Sequence, residues 1–509
     1  MKSVFIRFLQ IHWDAVLAAI AGCLFIYFFT RHSGVGISPD SVAYESTAAN
    51  IRNHFSFTDF NGLPLVDFPL GYPSFLAVAS LLTGCSVLQI APLLNCILFC
   101  GVIILTSVII NGYQKRSALY KICILALIAY SPCLLEVYSM LWSETLFIFL
   151  ILLFIVVFRS YFRTHSLVSL FFAALIASLA FVTRYAGICL LGTGLFLLFF
   201  DSELTTLKKI KHLIIFGVAG SSLAVINLLR NSSASGHMAG VREKALRSIG
   251  NNLQQIGANL SDWLPFLNGH ETGATIVFVT LFIMGVCILI YRCLQQQFFQ
   301  SYETIVACFF VVYILFLITV ATVSRFEDLS SRLLSPVYIP LLLVGSSWMV
   351  SFIQRSVRIK RSVALIIVFI LYAGFQYNHY QQNAAAWEGI KDAGIPGYTE
   401  NPWVQAPAVI FVKNNKDTFA APVFSNANDA VYFLSGIHAL AIPHKEIKTE
   451  VDSFLQHPSF TLIWFINGDN PDLVGLDFIK QHKKQVWAKE LDGGAVYFFS
   501  DSTNIPLHK

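Results

Sequence analysis

Asp40 follows the first long apolar run of the chain and lies in the segment 38–41, Ser-Pro-Asp-Ser. An aspartate beside a membrane-embedded cavity can accept the proton of an acceptor hydroxyl while that hydroxyl attacks a carbon such as the anomeric carbon of a sugar. The spacing of the next residues predicts a short surface helix over 41–53, and Asp40 or Ser41 would then cap it, which stabilises a helix by about 1 kcal/mol. The two interpretations are compatible, because a cap would also hold the carboxylate in one position.

Charged side chains also stand in apolar surroundings at Glu144 (WSETLF), Arg184 (TRYAG) and Arg332 (SRLLSP). A charge at the centre of a bilayer costs about 2.5–3.5 kcal/mol on insertion scales, so such residues usually face a cavity or a partner. A guanidinium can bind a phosphate through two parallel hydrogen bonds, which favours Arg184 and Arg332 as binding sites for a lipid phosphate. Interfacial snorkelling or a structural Arg–Glu pair explains the same residues equally well.

The segment 67–73 (DFPLGYP) combines Asp67 and Tyr72 with two prolines and a glycine, which predicts a rigid turn at the bilayer surface. The apolar stretch 72–83 is too short to span comfortably, so we expect it to be interfacial or re-entrant. A plain re-entry turn with an aromatic anchor explains the segment without any catalytic role.

The composition predicts a polytopic α-helical membrane protein, because 56% of the residues are hydrophobic and 12% are charged. Soluble domains carry about 25% charged residues. The apolar residues fall in blocks long enough to cross a bilayer, which predicts about eleven spans. They are expected near 14–30, 92–111, 118–134, 143–160, 166–182, 186–200, 212–229, 274–291, 304–322, 333–352 and 362–379.

Basic residues cluster in alternate connections between these blocks, and in this count they all fall on one side of the membrane. The clusters are Lys115 with Arg116, Arg159 with Arg163, Lys208 with Lys209 and Lys211, and Arg355 with Arg358, Lys360 and Arg361. The positive-inside rule makes that side cytoplasmic, together with the N-terminus. We therefore expect a multi-pass protein of the inner (plasma) membrane, with a membrane domain over 1–379, outer connections over 31–91 and 230–273, and residues 380–509 outside the cytoplasm.

After residue 380 the apolar blocks shorten to strand length and alternate with helix-like stretches, which predicts a small soluble α/β domain. Strands are expected at Val409–Val412, Pro422–Ser425, Thr461–Ile466, Gln485–Ala488 and Ala495–Phe499. Helices are expected at Asn428–Leu434, Lys448–Gln456 and Leu476–Lys483. Gly493 and Gly494 predict a tight hairpin between the last two strands, because glycine accepts a positive φ.

Several function classes find no support in the sequence. The net charge of +5 is small, and its basic residues follow the topology rather than forming a nucleic-acid-binding face. There is no glycine-rich nucleotide loop, no metal-spaced His or Cys cluster and no Ser-His-Asp signature, so neither a soluble nucleotide-sugar nor ATP is indicated as substrate. The ten cysteines predict neither a disulfide framework nor a zinc site.

Taken together, these segments resemble the polytopic GT-C glycosyltransferases, especially the bacterial branch similar to protein O-mannosyltransferases and aminoarabinose lipid A transferases. The matching pieces occur in the same order along the chain at 40–53 (DSVAYESTAANIRN), 67–73, 143–145 (SET), 183–187 (TRYAG) and 332–336 (RLLSP).

The resemblance implies a polyprenyl-phosphate-linked sugar as donor, inversion at the anomeric carbon, and a glycan, lipid or protein as acceptor. It implies that Asp40 is the catalytic base and that Arg184 and Arg332 bind the lipid phosphate. The residues expected to line or support the cavity are Tyr44, Asp67, Tyr72, Glu144 and Tyr185. Relatives of the mannosyltransferase type often have an Asp-Glu pair where this chain has Asp40 and Ser41, so a metal is possible but not indicated, and we expect no cofactor.

Two other classes remain as alternatives: a transporter or flippase for lipid-linked glycans, and a scaffold of an envelope assembly. A transporter is expected to show internal repeats and helices broken near the bilayer midplane, and neither is evident in the sequence. A scaffold has no need for Asp40 and several arginines around one cavity.

The topology can be tested with reporter fusions. Fusions after residue 379 and at the C-terminus are expected to report a non-cytoplasmic location, whereas fusions after Arg163 are expected to report the cytoplasm, because the basic connections stay inside. A cytoplasmic signal at the C-terminus would mean that the predicted number of spans is wrong by one.

Overall fold

The computed structural model describes residues 2–113, 117–240, 244–245, 247–296, 298–355, 358–419, 422–468 and 470–501. The predicted basic pair Lys115 and Arg116 lies outside these ranges. Helices dominate the first part of the chain: α1 Lys2–Thr30, α2 Pro39–His54, α3 Gly71–Thr83, α4 Val87–Asn111, α5 Ala118–Ala129, α6 Pro132–Ser139, α7 Glu144–Thr164, α8 Leu167–Thr183, α9 Ile188–Phe200, α10 Thr206–Ser235, α11 Ile249–Trp263, α12 Glu271–Gln295, α13 Tyr302–Val323, α14 Ser331–Arg355 and α15 Arg358–Ala393.

Within the described ranges, seven helices are long and apolar enough to cross a membrane, and the count is eight if the bent pair α5 and α6 forms one span. In the inner helices α7 and α13, 67% of the residues in the most apolar 18-residue stretch are buried. In α10, α12 and α15 the corresponding shares are only 28%, 22% and 17%. Large apolar side chains therefore cover the outside of the bundle, where hydrocarbon is the solvent that accommodates them. The chain is a polytopic α-helical membrane protein, as its composition predicts.

Each predicted span coincides with a helix, although several helices differ from simple spans. The predicted span 118–134 is the pair α5 and α6, which bends by 46°. The spans 166–182 and 186–200 are short apolar helices, and the span 333–352 is α14, which contains two prolines. The predicted boundary at residue 380 falls inside α15, which continues to Ala393.

The connection after α1 contains the predicted short helix, here α2, but its cap differs from the prediction. Ser38 is the N-cap, and the Ser41 hydroxyl accepts a hydrogen bond from the Ser38 N–H at 3.1 Å. Ser41 thus takes part in the cap, as the third residue of a capping box, whereas Asp40 does not. Pro39 takes the first helical position, where its missing N–H costs nothing. Asp40 lies in the first turn with its carboxylate free for other contacts. The predicted interfacial stretch 72–83 forms the apolar helix α3, which at 13 residues is as short as α9.

The C-terminal part is an α/β domain, as predicted. Its mixed sheet has the order β2-β1-β3-β5-β4, with β1 parallel to β2 and β3, and β5 antiparallel to β3 and β4. The strands are β1 Val423–Ser425, β2 Leu440–Ala441, β3 Ser459–Phe465, β4 Gln485–Leu491 and β5 Gly494–Ser500. The helices are α16 Asn401–Val404, α17 Pro407–Asn414, α18 Asn428–Ser435, α19 Lys448–Leu455 and α20 Leu476–His482.

Most of the predicted elements of this domain are confirmed, including the hairpin turn at Gly493, whose φ is +84°. The predicted strand Val409–Val412 is wrong, because this segment lies within α17. Ala408, Val409 and Val412 are its buried residues, which is the spacing of one helix face. A short apolar run does not distinguish a strand from a buried helical turn, and Pro407 starts the helix here.

The α/β domain and the connection after α1 share one hydrophobic core. Val42 and Phe60 from the connection cluster with Trp403, Val431 and other apolar residues of the domain. The ring of Phe60 stacks on Tyr432 with centroids 4.9 Å apart. The domain is therefore packed on the segment that carries Asp40 rather than attached by a linker alone.

Gly71 provides a test of the packing between α3 and α8. A Cβ at this position would lie 2.5 Å from the carbonyl oxygen of Val182, which α8 cannot move without shifting its backbone. We expect Gly71→Ala to lower the free energy of unfolding by about 1–3 kcal/mol, as overpacking does elsewhere. Thermal unfolding of the purified protein in detergent measures this change.

The matched control is Gly192→Ala in α9, where the new Cβ would meet Val312 Cγ1 at an ordinary 3.5 Å. Alanine is the better helix former, so this variant should unfold at the wild-type temperature or above it. Equal stability of the two variants would contradict close packing at Gly71.

Candidate active site

Glu144 is the centre of a buried ion-pair network. It opens α7, and its side chain is fully buried. Its Oε1 accepts from Arg332 Nε at 2.6 Å and lies 2.8 Å from an Arg184 guanidinium nitrogen. One carboxylate thus pairs with two arginines that are distant from it and from each other in sequence. The structural Arg–Glu pairing that the sequence offered as an alternative is therefore present.

Arg332 joins this pair to Asp40. Its second guanidinium nitrogen donates to Asp40 Oδ2 at 2.5 Å, and the guanidinium lies 4.4 Å from the ring centroid of Trp142. The formal charges of Asp40, Glu144, Arg184 and Arg332 sum to zero. A guanidinium near the N-terminus of α14 is opposed by the helix dipole, so the two carboxylates are what stabilise it there.

Asp40, Glu144 and Arg332 all lie in first turns, of α2, α7 and α14 respectively, so the N-termini of these helices converge on the network. Each helix N-terminus carries a partial positive charge, about half an elementary charge, and presents unpaired backbone N–H groups. The arrangement favours negative charge at this place in the bundle.

Backbone contacts fix the start of α2, where Asp40 lies. The Gly36 N–H donates to the Ser139 carbonyl at 2.9 Å, and the Tyr398 N–H donates to the Ile37 carbonyl at 2.8 Å. Ser38 accepts a hydrogen bond from Trp142 Nε1 at 2.8 Å. The position of Asp40 thus depends on the end of α6 on one side and on the segment before the α/β domain on the other.

A cavity of about 600 Å³ lies beside the network. Five of the sequence-predicted residues line it: Asp40, Tyr44, Asp67, Arg184 and Tyr185. The side chain of Asp40 is 23% exposed, so one face of its carboxylate is accessible while Arg332 holds the other. The remaining lining is largely apolar and comes mainly from the ends of α8, α9 and α13 and the residues next to them.

Two of the predicted tyrosines contribute to the wall of this cavity rather than to its ion pairs. The Tyr44 hydroxyl is 3.2 Å from Ser143 Oγ, which also accepts from Arg184 at 2.9 Å. Tyr72 is 1% exposed and packs edge-on against Tyr44, with ring centroids 5.1 Å apart. Tyr72 therefore supports the cavity without lining it.

Tyr185 fixes the loop that contains Asp67. Its hydroxyl donates to the Val66 carbonyl at 2.7 Å and accepts from Asn231 Nδ2 at 2.9 Å. Arg230 also donates to backbone carbonyls of this loop, at Phe57 and Leu65. Asp67 thus enters the cavity from a braced loop, although it contacts neither Arg184 nor Arg332 directly.

Sequence reasoning missed Arg325 and Glu327, which line the same cavity from the connection between α13 and α14. Burial raises the pKa of the Glu327 carboxyl above its ordinary value, and the charge of Arg332 opposes this shift. Arg325 pairs with Asp472 of the α/β domain at 2.9 Å. The run of charges 325–328 between two apolar blocks was the signal that could have identified them.

A second, larger cavity of about 970 Å³ lies near the network. Trp142, which stacks on Arg332, and Ser38, two residues before Asp40, both line it. The second cavity therefore lies next to residues that adjoin Asp40 or contact Arg332, although it shares no described lining residue with the first. No group of three or more His, Cys, Asp or Glu side chains that could hold a metal ion occurs in the part of the chain that the structure describes.

No protein-family model matches the sequence, and no curated protein matches it either. Solved structures do match the fold. ArnT from Cupriavidus metallidurans in the apo state superimposes with a TM-score of 0.56 at 11% identity, over 95% of this chain and 97% of that chain. The same protein bound to undecaprenyl phosphate gives 0.55 at 11% identity, over 96% and 98%.

The archaeal oligosaccharyltransferase AglB from Archaeoglobus fulgidus, in complex with an inhibitory peptide and a dolichol-phosphate, gives a TM-score of 0.54 at 12% identity, over 98% of this chain and 75% of that chain. These proteins are GT-C glycosyltransferases. At such low identity the likeness concerns the fold alone, and it confirms the predicted GT-C-like architecture with its C-terminal α/β domain.

The ion-pair network predicts that neutralising Glu144 strongly lowers the stability of the fold. Glu144→Gln leaves two guanidiniums without their shared buried carboxylate, and breaking a buried pair in this way typically costs about 3–5 kcal/mol. We expect a marked drop in the thermal unfolding temperature of the purified protein.

Glu388→Gln is the matched control, because the Glu388 side chain is 71% exposed and its pair with Lys391 lies at the surface. Exposed pairs contribute little to stability, so the unfolding temperature should stay at the wild-type value. If Glu144→Gln were as stable as this control, the network would not stabilise the fold.

Proposed function

We propose that this protein is an inverting glycosyltransferase that moves a sugar from a polyprenyl-phosphate carrier to an acceptor at the extracytoplasmic face of the plasma membrane. The observation that carries the proposal is the joint placement of Asp40 and Arg184 on one cavity, linked behind its wall by Arg332 and Glu144. The GT-C fold supports the kind of reaction. The bound undecaprenyl phosphate of ArnT and dolichol-phosphate of AglB support the class of donor.

The donor phosphate is assigned to the cavity beside Arg184. The Nε of Arg184 is buried and has no hydrogen-bond partner among the described residues, so this donor is available to an anion. An unpaired buried donor costs about 1–3 kcal/mol, which a phosphate oxygen would recover. The converging helix N-termini add to the attraction, and the apolar walls suit the first isoprene units of the carrier.

Asp40 is assigned as the general base. Arg332 holds Oδ2 and leaves Oδ1 to accept the proton of the acceptor hydroxyl. The hydroxyl oxygen then forms the new bond to the anomeric carbon as the bond from that carbon to the phosphate oxygen breaks, with its electron pair leaving on the phosphate. Attack opposite to the leaving group inverts the anomeric centre. Arg184, which lines the cavity, stabilises the charge that develops on the phosphate, whereas Arg332, behind the wall, holds Asp40 in position.

The proposed location of the active site outside the cytoplasm is argued from the direction of α7. This helix begins with Glu144 at the site and has Arg159 and Arg163 near its other end. His165 and Asp201 lie 3.2 Å apart and bring the start of α10, with Lys208, to that same end. By the positive-inside rule the basic end faces the cytoplasm, so the site and the α/β domain face the other side.

The main alternative is a transporter of lipid-linked glycans, and a scaffold is the other. Either would bind lipid without any need for a partly exposed carboxylate held beside a cavity. A catalytic test of Asp40 therefore separates an enzyme from both.

We expect Asp40→Asn to lower the rate of sugar transfer by about 10²–10⁴-fold, because it removes the general base. Asparagine keeps the size of the side chain and an oxygen that can accept from Arg332. The measurement is release of polyprenyl phosphate from a panel of polyprenyl-phosphate monosaccharides, with purified protein and a glycan and lipid extract as acceptor.

Binding of undecaprenyl phosphate should be retained in Asp40→Asn, which shows that the variant is folded. Asp452→Asn, at an exposed position of α19, is the matched control and should transfer sugar at the wild-type rate. Near-normal transfer by Asp40→Asn would remove Asp40 as the base. If the wild-type protein bound undecaprenyl phosphate but transferred none of the sugars, a transporter would become the better explanation.

A further inference from the structure

The cavity of about 970 Å³ is a part of the molecule that donor binding does not use. It is formed by α6, by the end of α11 and by one face of α15. Ala385, Ala386, Gly389 and Ala393 recur on that face at helical spacing, and their small side chains leave the space open. A volume of this size is that of a small-molecule binding site.

Among the described residues that line this cavity, the charged ones are all acidic, namely Glu136, Asp262 and Glu400, and none is Lys, Arg or His. Arg332 lies close enough to act on the charge of Glu136, but it is already paired with Asp40 and Glu144. A phosphate or carboxylate ligand would therefore meet like charges here, whereas a neutral or amine-bearing ligand would not.

Two polar side chains in this wall have no hydrogen-bond partner among the described residues. Ser139 is 2% exposed, and its Oγ has no hydrogen-bond partner among the described residues. The Glu136 carboxylate is exposed in the wall and makes no hydrogen bond or ion pair in the described part of the chain. A buried hydroxyl without a partner is rare in folded proteins, so Ser139 points to a ligand that carries hydrogen-bonding groups.

Tryptophan rings and amides complete the lining. Trp263 is held by a hydrogen bond from its Nε1 to Ser331 Oγ at 3.2 Å, and Trp142 is held by Ser38. Asn383 and Gln382 present amides from α15, anchored on the carbonyls of Tyr130 and Asp262. Flat apolar rings beside carboxylate, amide and hydroxyl groups suit a ligand with apolar C–H faces and many hydroxyls, and they do not suit a lipid tail.

We infer that this cavity binds the acceptor, and that the acceptor end inside it is a carbohydrate without negative charge, bearing hydroxyl or amine groups. The inference rests on the proposed transferase function, because only then does a second substrate have to reach Asp40. Ser38 in this cavity and Asp40 in the other lie two residues apart at the start of α2, so an acceptor bound here would lie beside the turn that carries the base. A phosphate group on the acceptor end would weaken its binding in this cavity.

The test compares methyl glucoside with a glucose phosphate by saturation-transfer NMR on the full-length protein in lipid nanodiscs, with undecaprenyl phosphate binding measured in parallel. We expect methyl glucoside to bind at least about tenfold more tightly than the phosphate, because of the acidic wall. Glu136→Gln should reduce this ratio several-fold. Glu388→Gln, which removes an exposed charge on α15 outside the cavity lining, should leave the ratio unchanged.

Equal binding of the two sugars, or the same ratio in Glu136→Gln and wild type, would overturn the inference. Absence of methyl glucoside binding in a protein that binds undecaprenyl phosphate would overturn it too, while leaving the transferase proposal intact. Methyl glucoside binding that depends on Glu136, in a protein that does not bind undecaprenyl phosphate, would support the carbohydrate cavity and overturn the proposed donor.

Discussion

The buried carboxylate of Glu144 is the interaction on which the rest of the site depends. Two guanidiniums from different helices converge on it, and neither could remain at this depth without its charge. Through Arg332 the same carboxylate orients Asp40, which lies outside the bundle core on α2. The network thus joins the starts of α2, α7 and α14 and the break between α8 and α9 in one fixed arrangement.

The α/β domain contributes to this arrangement from outside the helical bundle. The connection between α1 and α4 carries apolar side chains that the bundle alone does not bury, and the domain covers them in a common core. Tyr398 fixes the residue just before the cap of α2, and Asp472 pairs with Arg325 beside the cavity. The domain therefore packs directly on the segment that positions Asp40.

Much of this architecture is a local property of the sequence. Apolar blocks of membrane-spanning length predict helices wherever they occur, because a bilayer requires every backbone polar group to be paired within its own segment. The cost of placing charge in apolar surroundings is equally local, so Glu144, Arg184 and Arg332 could be singled out from their neighbours alone, and Asp40 from its place after the first apolar run. The alternation of short apolar blocks with polar helical stretches likewise predicts most of the α/β domain.

Partners and cavities were decided by the tertiary structure. Asp40 and Arg332 are 292 residues apart, and Glu144 and Arg332 are 188 apart, so no periodicity could indicate that these side chains meet. A short apolar run by itself could not show that 409–412 lies in a helix rather than a strand. Glu136 and Ser139 look like ordinary residues of a bent span until α15 packs across from them. By itself the sequence determined which residues must be paired or shielded, because desolvation acts on each residue separately. The partner of each buried charge depends on how distant segments pack together, and this packing is a property of the folded chain alone.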